Sequence, residues 1–115
     1  MTAARRVLKH INTTRDWGLL IQPKGGKITI DVYADADWAG DRTDRKSTSG
    51  VLVKLSGTPI IFLSMKHDSP ALSSTEAETI ATCEGVRILK WLTNPLTELR
   101  VDFDQPTVHI DNQST

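Results

Sequence analysis

Two β-type segments of the chain end alike. Tyr33-Ala34-Asp35 closes one and His109-Ile110-Asp111 closes the other, each aspartate out of phase with the main apolar positions. If these strands lie side by side and parallel, about 5 Å apart, Asp35 and Asp111 meet at the carboxyl edge of the sheet. Open α/β sheets bind ligands at that edge. Two carboxylates so close repel unless a proton or a cation joins them. An oxygen-loving divalent ion, Mg2+ or Mn2+, resolves the conflict. Glu78 is the third candidate, in the first turns of a helix and next to its apolar stripe. A three-carboxylate cluster can hold two metals, one activating a water and one stabilising the leaving oxygen of a phosphodiester. Each residue also has a plain structural use. Aspartate at a strand end forms turns, and glutamate in a first helical turn caps the helix or meets its dipole.

Other polar groups carry weaker signals. Trp38 with Arg42, Arg45 and Lys46 suits phosphate contact and stacking on a base or sugar. A solvated loop anchored by its tryptophan fits the same residues. His109 alternates with apolar neighbours and reads as a partly buried sheet residue. His67, within Lys66-His67-Asp68-Ser69, reads as solvated loop, and Cys83 as an ordinary buried thiol.

These groups must be positioned by a small set of elements. Ala3, Ala4, Val7, Leu8 and Ile11 fall at helical spacing across residues 1–12, with Arg5, Arg6 and Lys9 on the other side. Gly18-Leu-Leu-Ile21 has the composition of a short strand, ended by Pro23 and Gly25-Gly26. Residues 27–35 alternate strictly, with Ile28, Ile30, Val32 and Ala34 on one face. A polar loop follows, from Ala36 to about Thr48. Gly50–Leu55 and Ile60–Ser64, joined by Ser56-Gly57-Thr58-Pro59, read as a hairpin. The longest helix starts at Ser73, where Ser73 with Glu76, or Thr75 with Glu78, forms a capping box. Ala77, Ile80, Ala81, Ile88, Trp91 and Leu92 share a face, with Glu84 in conflict at its middle. Asn94-Pro95 should end or kink this helix. Residues 107–111 form a last strand. A hairpin-linked trio followed by a helical crossover makes that strand a parallel neighbour of an earlier one. The class is α/β with one mixed sheet.

Composition narrows the function classes. With 115 residues there is room for one small domain. Fourteen basic residues cancel fourteen acidic ones, so nucleic-acid binding would rest on a local patch, not on a global field. A single cysteine excludes an internal disulfide framework and Cys-pair zinc sites. No apolar run approaches the roughly 20 residues that span a bilayer, and no apolar segment follows the basic N-terminus as in a signal peptide. An intracellular location, cytoplasmic with nuclear association open, is the expectation.

Four segments in order then point to one family. Ala34-Asp-Ala-Asp-Trp-Ala-Gly-Asp41 with Asp44-Arg-Lys-Ser-Thr-Ser-Gly50, Ala71-Leu-Ser-Ser-Thr-Glu-Ala-Glu78, and His109-Ile-Asp-Asn-Gln-Ser114 resemble the ribonuclease H-type domain of copia-like LTR retrotransposon Pol polyproteins. Ala3-Ala-Arg-Arg-Val-Leu-Lys9 with Asp16-Trp-Gly-Leu19 resembles the segment that links the polymerase to that domain. The resemblance implies a ribonuclease H-like fold and Mg2+-dependent cleavage of the RNA strand in RNA–DNA hybrids by two-metal-ion hydrolysis. The products would carry a 3′-hydroxyl and a 5′-phosphate, and the ribose 2′-OH would mark RNA. It implies Asp35, Glu78 and Asp111 as catalytic metal ligands, with Asp37 and Glu76 as second choices. It also implies nucleic-acid contacts by Trp38, Arg42, Arg45, Lys46, Ser74, Asn112 and Gln113. The partners implied are the hybrid and the rest of the polyprotein, including the reverse transcriptase, with no membrane.

The division implied is a polymerase connection tail over residues 1–25 and a partial ribonuclease H-like domain over 26–115. The chain stops four residues past Asp111, where such folds continue into further helices, a strand and a fourth acidic ligand. C-terminal truncation is therefore an expectation, and with it a catalytically inactive remnant as the alternative. Leu63 and Met65 stand where the family usually carries lysines, and Pro70 interrupts a segment that is usually extended. No polymerase Asp-Asp, protease or integrase motif occurs.

Overall fold

Strict alternation makes Ile30, Val32 and Ala34 one face of strand β1 (Ile30–Asp37) in the computed structural model, which describes residues 2–21, 25–38 and 43–110. The remaining elements are helix α1 (Ala3–Thr13), strands β2 (Thr48–Leu55) and β3 (Thr58–Lys66), helix α2 (Ser74–Glu98) and strand β4 (Thr107–Ile110). The sheet runs β3-β2-β1-β4. β1 pairs antiparallel with β2 and parallel with β4, and β2 pairs antiparallel with β3. The α/β class and the parallel return of the last strand are as the pattern predicts.

The β2–β3 hairpin is tighter than its sequence suggests. Only Ser56 and Gly57 form the turn, both at positive φ (48° and 84°), the paired left-handed conformation that matches strand twist. Thr58 and Pro59 join β3 instead, with Pro59 opposite Lys54 at a register irregularity. Proline is tolerated there because β3 is an edge strand. β1 starts later than its alternation does. Ile28 makes only an isolated parallel bridge to Phe103.

Helix α2 covers one face of the sheet. Ser73 caps it, accepting the Glu76 N–H at 3.1 Å. Ala77, Ala81 and Gly85 form a buried seam of small residues, so the helix backbone lies close on β1. A Cβ at Gly85 would stand 3.2 Å from Val32 Cγ1 and 3.5 Å from Ala34 Cβ. Around this contact Ile30, Val32, Val51 and Val53 form the buried core, flanked by Ile88 and Leu92.

Several expectations fail for identifiable reasons. Trp91 is off the buried stripe and 70% exposed, because the seam steps from Gly85 to Ile88 and Leu92 and passes it by. Glu84 flanks the seam and pairs with Arg87 at 3.1 Å, which removes the conflict read in the sequence. Pro95 does not stop α2, which runs on to Glu98. The cost of its missing N–H falls near the helix end, where Leu92 and Leu96 still pack against the core. Residues 18–21 form no strand, and Leu19, Leu20 and Ile21 are exposed and pair with no strand among the described residues. Cys83 is exposed, not buried. α1, capped by Thr2, has no buried residue and packs against no other named element.

Candidate active site at the carboxyl edge of the sheet

Asp35 owes its position to strand alternation. Ala34 is buried under α2, so the next side chain turns to the opposite, uncovered face near the end of β1. Asp35 is exposed, and its Oδ1 accepts the Ala36 N–H at 2.9 Å. The parallel pairing of β1 with β4 sets Tyr33 against His109 and Ala34 against Ile110. That is one residue short of Asp35 and Asp111. Asp111, Asn112 and Gln113 lie outside the described residues, as does Arg42.

The start of α2 comes to this same end. The Trp38 indole N–H, one residue past β1, donates to the Ala71 carbonyl at 3.2 Å. Glu78 lies seven residues before Gly85, about 10 Å along the helix axis toward that end. It is half-buried, with one carboxylate oxygen enclosed by protein. Glu76 is spent differently, because its carboxylate accepts the Leu72 N–H at 2.7 Å and fixes the helix start. This favours Glu78 over Glu76 as a ligand. Asp37 is exposed at the last position of β1. Among the described residues no three His, Cys, Asp or Glu side chains gather into a metal-holding group.

The loop groups divide. Trp38 is half exposed, and its indole N–H ties the end of β1 to the connector before α2. Arg45 is exposed and held at φ 58°. The Lys46 N–H donates to Asp44 Oδ1 at 2.9 Å, and Asp44 pairs with Lys66 at 2.9 Å. Ser74 is exposed in the first turn of α2. His109 is not buried. It lies across the uncovered face, stacked on Tyr33 with ring centroids 4.4 Å apart, and pairs with Asp31 at 2.9 Å. Tyr33, Leu52 and Phe62 are successive register partners on that face, and Phe62 is 83% exposed. A cavity of about 580 Å³ opens there, lined by Asp35, Tyr33, Gly50, Leu52 and His109.

Sequence reasoning missed the polar cluster beside this edge. His67 is only 8% exposed, and Ser47 and Ser49 are fully buried. The imidazole Nε2 lies 2.5 Å from Ser49 Oγ, and the His67 N–H donates to the Ser47 carbonyl at 2.8 Å. A run of loop-type residues hid this, although Ser47 and His67 continue the antiparallel β2–β3 register one pair beyond Thr48 and Lys66.

Comparison with known proteins decides the ancestry. Over 111 residues, 96% of the chain, it is 39% identical to the retrovirus-related Pol polyprotein from transposon RE2 of Arabidopsis thaliana. It is 35% identical over 113 residues to the Pol polyprotein from transposon RE1 of the same plant. The chain is a domain derived from a copia-like retrotransposon Pol polyprotein. It is also 43% identical over 91 residues to secreted RxLR effector protein 161 of Plasmopara viticola. The Pol-derived domain spans 8% of each polyprotein and 63% of the effector. No family model and no solved structure matches it. No helix among its described residues is long and apolar enough to cross a membrane.

Proposed function

We propose that this Pol-derived domain is a ribonuclease H-type hydrolase that cuts the RNA strand of RNA–DNA hybrids, acting inside the cell beside the reverse transcriptase of its polyprotein. The observation that supports this most is the parallel pairing of β1 with β4, Ala34 opposite Ile110, with the start of α2 tied to the same end. Asp35 and the connector before α2 share the end of β1, and Ile110 pairs one residue before Asp35.

The donor set fits a hard divalent cation, because Asp35, Glu78 and Asp111 all offer carboxylate oxygens. Mg2+ or Mn2+ bound there would supply an activated water and a counter-charge for the leaving oxygen. The protein's part is positional. Asp35 is fixed by the strand, and Glu78 by a helix packed rigidly on it through Gly85. Trp38, Arg45 and Lys46, on the adjoining loop, would hold the phosphate backbone and stack against it.

Cleavage of a labelled RNA–DNA hybrid in Mg2+ tests the reading. The expected result is cutting of the RNA strand alone, abolished by chelation. Asp35→Asn should lower the rate at least about a hundredfold without changing the thermal midpoint, since Asp35 is exposed and, among the described residues, bonds to its neighbour's N–H alone. A folded chain that leaves the hybrid intact would favour a non-catalytic retroelement remnant. Equal cutting of duplex DNA would overturn the substrate.

A further inference from the structure

The buried cluster of Ser47, Ser49 and His67 has no part in the chemistry proposed above. Ser49 and His67 resemble a nucleophile and base by distance, but both are buried and no substrate can reach them. Their place in the fold says more. Ser49 sits at the start of β2, opposite Ala36 on β1, one position from the pair Asp35 and Gly50. His67 is the first residue of the connector that leads from β3 to the cap of α2.

That connector is tied at three points. His67 holds Ser47 and Ser49. The Ala71 carbonyl accepts the Trp38 indole N–H. The Leu72 N–H donates to the Glu76 carboxylate. His67 is the only one of the three anchored inside the protein. We infer that His67 is a positioning residue, joining the sheet edge that carries Asp35 to the helix that carries Glu78. This rests on the hydrolase reading for its consequence in catalysis, but the tether itself does not.

The tautomer follows from the surroundings. Nδ1 is enclosed and has no hydrogen-bond partner among the described residues. A buried N–H without an acceptor is rarer and costlier than a bare acceptor nitrogen. The proton therefore belongs on Nε2, which donates to Ser49 Oγ. Glutamine places its amide nitrogen near the position of Nε2, and asparagine places its own near Nδ1. The two substitutions separate the tether from mere volume.

The test compares His67→Gln with His67→Asn in the full 115-residue chain, by hydrogen exchange and by hybrid cleavage. His67→Asn should speed exchange of the Glu76 and Ala77 amides about tenfold or more, with the Val32 and Val53 amides unchanged. It should lower kcat about tenfold with KM within about twofold, as misplacement of a positioned group does. His67→Gln should restore both to within about twofold. Equal behaviour of the two variants in exchange would overturn the tether, as would acceleration spread evenly over the sheet. If the unaltered chain cuts no hybrid but the exchange pattern holds, the tether stands and the hydrolase reading falls. If the unaltered chain cuts and His67→Asn cuts equally well, the positioning role falls alone.

Discussion

Replacing Gly85 tests the contact on which the geometry of the edge depends. A Cβ there would lie 3.2 Å from Val32 Cγ1, about 0.3 Å inside ordinary carbon–carbon contact. Val32 is completely buried, so its methyl group has no free space to enter. For Gly85→Ala this crowding opposes a helix-propensity gain of about 1 kcal/mol, and stability should change by less than about 1 kcal/mol. Gly85→Val adds two methyl groups against Val32 and Ala34. Overpacking of that kind costs about 1–3 kcal/mol, more than the propensity gain over glycine can offset. Urea unfolding followed by circular dichroism would show a lower midpoint for valine at an unchanged slope. Valine should also lift α2 from β1 and reduce hybrid cleavage further than the unfolded fraction explains. A valine variant as stable as the original would refute the close packing of α2 on β1.

Two further outcomes can be checked directly. Ser73→Ala removes the cap that accepts the Glu76 N–H and should destabilise the chain by about 1 kcal/mol in the same unfolding assay. Phe62→Lys alters the most exposed aromatic of the uncovered sheet face; light scattering should show less self-association, with stability within about 0.5 kcal/mol.

The acidic edge was legible because its signals are local. A strand-end aspartate is visible from two-residue alternation, and Glu78 from its distance to a capping serine. Asp35 ends on the uncovered face of β1, and Glu78 lies half-buried in the second turn of α2. Asp111 lies beyond the described residues. The polar cluster was not legible. His67 follows a strand and precedes Asp68-Ser69-Pro70, a composition that says loop and is silent on what folds over it.

The sequence by itself determined both helices and the four strands of the sheet, the hairpin, the helix cap and the ancestry, because periodicity, turn residues and motif spacing act over short stretches of chain. It also suggested a strand at residues 18–21 that does not form. Tertiary structure alone decided the rest. It carried α2 past Pro95, since burial of Leu92 and Leu96 outweighs one missing hydrogen bond. It turned Trp91 outward, since three small residues, Ala77, Ala81 and Gly85, let the backbone itself approach β1. It buried His67, since a histidine is polar or buried according to the neighbours that reach it, and those neighbours, Ser47 and Ser49, are about twenty residues away along the chain.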